Sequence, residues 1–239
     1  MTTEQKKAPS VYVCMPTYDT MQTATCISLI QLFDKMTAAK VKTNFATYKC
    51  PYVGYGRNVL TSMFLASDFE YQLFVDADVS FQPQAVGRML LAQKDMICAP
   101  YRKKTQDNEV RFSVAFKDNT DIQVDEKGLV KISKGPAGLT LIHRKVYDKI
   151  IKDNPKLKIN FYAGLPEEHG KYLYNLWENA FLPEKGIWYG EDVAFCNLAE
   201  KSGFDFYALA DEETTHYGNF QWKGKLVDTF KKALNGKDK

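Results

Sequence analysis

Residues 71–79 read YQLFVDADV, a short apolar strand that runs directly into two acids separated by one small residue. Around this stretch, short apolar runs alternate with segments whose apolar residues recur at about the 3.6-residue period of a helix. The expected strands cover residues 11–15, 43–48, 71–75 and 96–99, and the expected helices cover 21–36, 57–67 and 83–91. This βαβαβαβ order predicts an α/β fold with a mostly parallel central sheet flanked by helices.

The second half of the chain has a different pattern, in which turns separate the strand signals. Strands are expected over 110–116, 129–133, 138–143 and 204–210, and helices over 144–153, 191–203 and 222–234. Residues 154–190 are rich in Gly, Pro and aromatic residues and show no clear period. We expect a smaller mixed β region in this half, within one domain over 10–234 between loose polar tails at 1–9 and 235–239.

The composition is that of a folded chain. Of 239 residues, 45% are hydrophobic and 26% are charged, which excludes disorder as the main state. A net charge of +3 gives no basis for nucleic-acid binding, which needs a clustered basic face. We expect no transmembrane segment and no secretory signal, because no apolar run is long enough and the N-terminus is polar. The five scattered cysteines form no CxxC pair, so we expect reduced thiols in a cytoplasmic protein.

The acids of the opening stretch, Asp76 and Asp78, are the first candidates for chemistry, because ligands of parallel sheets gather at the carboxyl ends of strands. Two carboxylates so close repel each other unless a cation joins them. Oxygen ligands of this kind suit Mg²⁺ or Mn²⁺, which commonly link protein carboxylates to a phosphate-bearing substrate. The alternative is an ordinary turn in which Asp78 caps the next helix.

Two later segments carry groups that would complement such a site. Glu191 and Asp192 stand at an expected helix start, where one acid would act as a general base toward an incoming hydroxyl, or both would only complement the helix dipole. His216 follows the last expected strand. It would add a nitrogen ligand to a metal held by Asp78, or it is an ordinary polar loop residue.

Two further segments suggest ligand contacts. Arg57, followed by Asn58, opens an expected helix, where its charge opposes the helix dipole. A bound anion such as a diphosphate would explain it, and so would an ion pair with a nearby acid. The run KGPAG at 134–138 places Gly135 and Gly138 just before a strand, where a backbone without side chains lets a ligand approach or simply forms a turn.

Taken in order, these segments resemble the motifs of GT-A glycosyltransferases, and the chain is similar to the compact, soluble enzymes of that fold encoded by large DNA viruses and bacteriophages. The resemblance rests on Pro16-Thr17-Tyr18, Arg57-Asn58, Asp76-Ala77-Asp78, Gly135 to Gly138, Glu191-Asp192 and His216. It covers roughly residues 11–220. It implies a Rossmann-like GT-A fold with a nucleotide-binding half at about 10–105 and an acceptor-binding half at about 106–234.

The resemblance also implies a metal-dependent hexosyl- or pentosyltransferase that uses a nucleoside-diphosphate sugar, usually a UDP-sugar. Its partners would be that donor and a glycan or other hydroxyl acceptor, in a viral or phage protein of glycan biosynthesis in the host cytoplasm. The implied donor-binding residues are Pro16, Thr17, Tyr18, Arg57, Asn58, Asp76, Ala77, Gly135 and Gly138. The implied ligands of Mn²⁺ or Mg²⁺ are Asp76, Asp78 and His216, and the implied base toward the acceptor is Asp192 or Glu191.

Three other interpretations use the same residues. A haloacid-dehalogenase-type phosphatase would use Asp76 as nucleophile and Asp78 as acid and base, although its motif usually follows the first strand. Nucleotidyl transfer to a sugar phosphate usually needs a Gly-rich loop after the first strand, and residues 16–20 contain no glycine. A non-catalytic nucleotide-sugar-binding protein would bind nucleotide with metal but would not turn it over.

Overall fold

The computed structural model describes residues 8–105, 110–117, 122–161 and 164–230, so most of the two predicted tails lies outside the described residues. The strands of these ranges are β1 Ser10–Thr17, β2 Lys42–Lys49, β3 Tyr71–Val75, β4 Val79–Phe81, β5 Met96–Cys98, β6 Leu129–Ile132, β7 Leu139–His143, β8 Ala180–Leu182, β9 Ile187–Tyr189, β10 Phe206–Leu209, β11 Thr214–Tyr217 and β12 Gln221–Gly224. The helices are α1 Thr23–Ala38, α2 Val53–Leu65, α3 Gln84–Ala92, α4 Arg144–Asp153, α5 Glu167–Gly170 and α6 Glu191–Lys201, with a 3₁₀ turn at Pro155–Leu157. None of the helices in the described ranges is long and apolar enough to cross a membrane.

The central sheet has seven strands in the order β2-β1-β3-β7-β5-β10-β6. Five of them run in one direction, while β7 and β6 run in the other. Helix α1, between β1 and β2 in the chain, contacts β2 and β4, and helix α2, between β2 and β3, contacts β1 and β2. The predicted fold class, an α/β fold with a mostly parallel sheet flanked by helices, is confirmed.

The strand order differs from what the sequence order alone suggests. β5 follows β3 along the chain, but β7 from the second half lies between them and pairs antiparallel with both. Leu139, Leu141 and Ile142 of β7 have no exposed surface. A strand with apolar side chains on both faces is stable only in the interior of a covered sheet, which is where β7 lies.

Both faces of the central sheet are covered, which explains the unbroken apolar run of β3. Alternate residues of β1 point to opposite layers: Val11 and Val13 belong to one hydrophobic cluster, and Tyr12 and Cys14 belong to the other. Helix α1 packs in the first cluster and helix α2 packs in the second. The carboxyl ends of the parallel strands are left for loops, and these loops build the site described below.

A second, smaller sheet contains β12, β11 and β4, all antiparallel. β4 directly follows the acidic motif, and the register pairs Val79 of β4 with His216 of β11. The smaller β region is therefore antiparallel rather than mixed, and it takes one strand from the first half of the chain. β8 and β9 pair with each other as a separate hairpin.

Helix α2 begins at Val53 rather than at Arg57, so Arg57 lies in its second turn and not at its N-terminus. The glycines that precede Arg57 weaken the helix signal in the sequence. The structure explains one of them, because a side-chain methyl at Gly54 would collide with the carbonyl oxygen of Trp177. Close packing, not loop formation, selects glycine there.

Two other predicted elements were wrong. The strand expected at 110–116 is reduced to isolated bridges in the described part of that segment. β12 occupies the start of the helix expected at 222–234. Residues 227–230 are helical, and the remainder of that predicted helix lies outside the described residues.

Candidate functional site

A cleft of about 440 Å³ opens at the carboxyl ends of β1, β2 and β3. Because these strands are parallel, the loops that follow them meet at the same edge of the sheet. Two later segments complete the walls. The lining residues are Pro16, Thr17, Tyr18, Thr20, Gln22, Cys50, Pro51, Val53, Asp76, Ala77, Asp78, Lys104, Tyr217 and Gly218. The structure thus brings the predicted Pro16-Thr17-Tyr18 and Asp76-Ala77-Asp78 segments into one cavity.

Asp78 is the centre of a polar cluster in this cleft. Its Oδ2 accepts a hydrogen bond from the Lys104 ammonium at 2.5 Å and lies 3.6 Å from Nε2 of His216. Burial raises the pKa of Asp78, but hydrogen bonds from His216 and Lys104 outweigh burial and lower that pKa below its ordinary value. The carboxylate is therefore ionised at neutral pH and carries the charge that a cation would meet.

The ring of His216 has one defined orientation, because β11 and β4 place it opposite Val79, next to Asp78 in the chain. Its Nδ1 lies 2.9 Å from the carbonyl oxygen of Arg102. A carbonyl oxygen only accepts, so Nδ1 donates this hydrogen bond. Nε2 then faces the Asp78 carboxylate, as a hydrogen-bond donor when the ring is protonated and with its lone pair when the ring is neutral. Two electron donors in this arrangement are stabilised by a shared cation.

Asp76 is hydrogen-bonded through both of its oxygens. Arg57 donates from Nη2 to Oδ1 at 2.7 Å, and the Tyr101 hydroxyl donates to Oδ2 at 3.2 Å. Burial, together with the charge of Asp76, raises the pKa of Tyr101 well above its ordinary value, so the hydroxyl remains a donor. A methyl group at Gly138 would collide with this carboxylate. Gly138 therefore provides the space that Asp76 occupies.

Arg57 is a buried link between the acidic motif and helix α6, with only 3% of its side chain exposed. Besides Asp76, it donates from Nε to Glu191 at 3.4 Å, and its guanidinium lies over the rings of Phe74 and Trp177. Burial alone would lower the pKa of the guanidinium, but the two carboxylates raise it on balance. The placement of Arg57 at a helix N-terminus is corrected, and its ion pairs with two acids match the alternative interpretation; its contact with the donor stays a prediction.

Asp192 and Glu191, the two acids in the first turn of α6, have different partners. Oδ1 of Asp192 accepts a hydrogen bond from the backbone N–H of Val193 at 2.7 Å, while Glu191 is paired with Arg57. Burial raises the pKa of Asp192, and the negative charge of Glu191 raises it further. A carboxylate with a raised pKa takes up a proton more readily, as a general base must.

Two predicted binding residues make structural contacts instead. Asn58 is buried, and its side-chain amide bonds the segment at 175–177 through both its oxygen and its nitrogen. Gly135 lies against the ring of Phe206, which a methyl group at that position would strike. Neither residue lines the cleft, and their contact with the donor stays a prediction.

Lys104 and Tyr101 belong to the site although neither is part of the sequence motifs described above. Both lie in the loop after β5, where the sequence reads YRKK at 101–104. The signal was there: a basic run directly after a predicted strand, at the edge of the sheet where the acidic motif also lies. The run matches no recognised motif, so its sequence alone does not assign it a function.

Two of the residues present, Asp78 and His216, are placed to act as ligands of a hard divalent cation. Within the described ranges, no group of three or more His, Cys, Asp or Glu side chains is placed to hold a metal ion. Of the three predicted ligands, Asp78 and His216 are together, whereas Asp76 is directed to Arg57 and Tyr101. A pair of protein ligands suits Mg²⁺ or Mn²⁺ when substrate phosphates and water complete the coordination shell.

No family model and no curated protein matches the sequence, but its fold is similar to several solved structures. The crystal structure of A197 from STIV is 19% identical, covers 88% of this chain and 86% of that chain, and has a TM-score of 0.50. A glycosyltransferase involved in the glycosylation of the major capsid of PBCV-1 is 9% identical over 61% of this chain and 67% of that chain, with a TM-score of 0.34. TarS 1-349 from S. aureus is 16% identical over 70% of this chain and 54% of that chain, with a TM-score of 0.35.

The likeness to A197 extends over most of both chains and is a likeness of fold. Together with the strand order, it confirms the predicted GT-A architecture. The structures of weaker similarity include a glycosyltransferase, and they add nothing to the assignment of individual residues.

Proposed function

We propose that this chain is a metal-dependent glycosyltransferase. It would move a hexosyl or pentosyl group from a nucleoside-diphosphate sugar, with a UDP-sugar as the expected donor, to a hydroxyl of a glycan or another acceptor. The observation that carries the proposal is the Asp78–His216 pair: Asp78 lines a cleft beyond three parallel strands, and its Oδ2 lies 3.6 Å from Nε2 of His216. Such clefts are the usual ligand sites of open α/β sheets.

The donor would lie along the cleft, with its nucleotide against Pro16, Thr17 and Tyr18 and its diphosphate toward Asp78 and His216. The volume of about 440 Å³ is in the range of small-molecule pockets. Mn²⁺ or Mg²⁺ held by that pair would supply positive charge that offsets the charge of the departing diphosphate. Asp76, fixed by its two hydrogen bonds, would accept from a hydroxyl of the sugar or ribose.

In the transfer step, the acceptor oxygen attacks the anomeric carbon, and the bond from that carbon to the diphosphate oxygen breaks. The bonding electrons leave with the diphosphate, and the acceptor proton passes to the carboxylate of Asp192. Glu191 is the weaker candidate for this role because its carboxylate is paired with Arg57. The raised pKa of Asp192, caused first by burial, supports it as the base.

The cytoplasmic location proposed from the sequence is supported by the cysteines. All five are free thiols, and Cys14, Cys98 and Cys196 are buried. Burial raises the pKa of the Cys14 thiol to about 12, so it stays protonated and inert. This pattern supports a reducing compartment rather than a disulfide framework.

Thermal stability measured with nucleotides and nucleotide-sugars, in Mn²⁺, Mg²⁺ or EDTA, tests the proposal. A ligand at about 100 times its Kd stabilises the fold by roughly 2.7 kcal/mol, so a binding donor is readily detected. We expect UDP or one UDP-sugar to raise Tm only with metal, and Asp78→Ala to lose that shift. No shift with any nucleotide, or a full shift and full transfer activity in Asp78→Ala, would contradict the assignment.

The same protein samples separate the alternatives. A phosphatase would need Asp76 as nucleophile, yet its oxygens are occupied by Arg57 and Tyr101. Hydrolysis of a simple phosphate monoester that depends on Asp76 would nevertheless favour that class. Metal-dependent UDP binding without sugar transfer to any acceptor or to water would favour a non-catalytic binding protein.

A further inference from the structure

We propose that Lys104 binds the diphosphate of the donor. When the metal binds, the Lys104 ammonium releases the Asp78 carboxylate and binds phosphate oxygens instead. This inference rests on the proposed function. It concerns a residue that the motifs do not contain, in a loop unrelated in sequence to the acids. It follows from charge and position in the cleft.

The first observation is that Lys104 contacts the same oxygen of Asp78 that faces His216. The Lys104 ammonium lies 2.5 Å from Oδ2 of Asp78, the same oxygen that lies 3.6 Å from Nε2 of His216. A divalent cation held between Asp78 and His216 would lie within a few ångströms of the ammonium. Two positive charges so close repel each other, so the cation and Lys104 cannot both keep this oxygen.

The second observation is the charge of the cleft wall. Of the described residues that line the cleft, Lys104 is the single basic side chain, beside the two carboxylates of Asp76 and Asp78. A diphosphate in this cleft would meet acids, and among the described lining residues the ammonium available to it is the one bound to Asp78. Lys104 released by the metal would therefore find the phosphate oxygens as its new partners.

The third observation is that the Lys104 side chain has room to change its partner. Its side chain is 35% exposed, and its stem passes over Gly218, where a methyl group would come within 3.4 Å of Cδ. A lysine reaches a phosphate as a point charge on a flexible stem, so a change of partner needs only side-chain rotation. The metal and the diphosphate would thus bind with positive coupling through one side chain.

The experiment measures two affinities in the full-length wild type and in Lys104→Met: Mn²⁺ alone, by electron paramagnetic resonance of the free ion, and UDP at saturating Mn²⁺, by calorimetry. We expect Lys104→Met to bind Mn²⁺ alone several-fold more tightly, because its competitor is gone. We expect it to bind UDP about tenfold more weakly, as befits the loss of one charge-assisted hydrogen bond. Lys104→Arg should recover most of the UDP affinity.

The matched control is Lys103→Met, which removes an exposed neighbouring lysine that does not line the cleft and should change neither affinity. Opposite shifts are the signature, since a merely structural role would weaken both affinities together. Unchanged or jointly weakened binding in Lys104→Met, with normal binding by wild type, overturns the role of Lys104 alone. Wild-type protein that binds no UDP overturns the proposed function as well.

Discussion

Replacing Arg57 with methionine should remove a large part of the stability, because it leaves two acids without their counter-charge. The side chains of Arg57, Asp76 and Glu191 are only 3%, 21% and 16% exposed. Removing one partner of a buried pair costs about 3–5 kcal/mol. The contact to Asp76 at 2.7 Å should dominate over the one to Glu191 at 3.4 Å. At roughly 2–4 °C for each kcal/mol in a chain of this size, Tm should fall by roughly 6–20 °C.

The measurement is the melting temperature of wild type, Arg57→Met and a control, Lys131→Met, by circular dichroism. The control also breaks an ion pair, since Lys131 lies 2.7 Å from Asp205, but both side chains are 52% exposed. Such a surface pair contributes about 0–1 kcal/mol. Equally small losses in the two variants would refute the reasoning that the Arg57 link stabilises the fold.

The remaining predictions concern residues in and around the candidate site. Asp192→Asn should raise Tm at neutral pH, because burial raises the pKa of Asp192 in the folded state and its negative charge therefore lowers stability. The gain in Tm should vanish as pH falls below 3.8, the ordinary pKa of an Asp side chain. An equal Tm of variant and wild type at neutral pH would contradict this prediction. Gly138→Ala should abolish donor binding by displacing the neighbouring acid, whereas Gly87→Ala, whose methyl meets no atom within 4 Å, should bind normally; calorimetry with UDP and Mn²⁺ decides between them. Alkylation of Cys50, which lines the cleft, should slow in the presence of UDP and Mn²⁺ while that of Cys26 does not, as followed by peptide mass spectrometry.

Local sequence patterns were sufficient to predict the bounds of elements whose ends depend on their own residues. The strand at 71–75 and the helix at 144–153 have the predicted bounds, because the first is a continuous buried run and the second has a strongly one-sided apolar stripe. Strand order was not accessible in this way. The insertion of β7 between β3 and β5 depends on packing across the whole sheet, which no local period encodes.

The same distinction between local patterns and long-range packing applies to the candidate site. The acidic motif was recognised because a buried strand leads directly into Asp76 and Asp78. The proximity of His216 to Asp78 arises from pairing between two very short strands, β4 and β11, neither of which was predicted. The contact of Lys104 with Asp78 depends on the path of a loop, and the burial of Arg57 depends on the true start of α2.

The pairing of Val79 with His216 also determines when the cleft can exist during synthesis. When a ribosome has translated the acidic motif, only about a third of the chain has been made, and the histidine that faces Asp78 is still untranslated. Contacts this distant along the chain form late and slowly in folding. A nascent or C-terminally truncated chain that ends before β11 would therefore carry both acids yet lack the strand that places His216 beside Asp78.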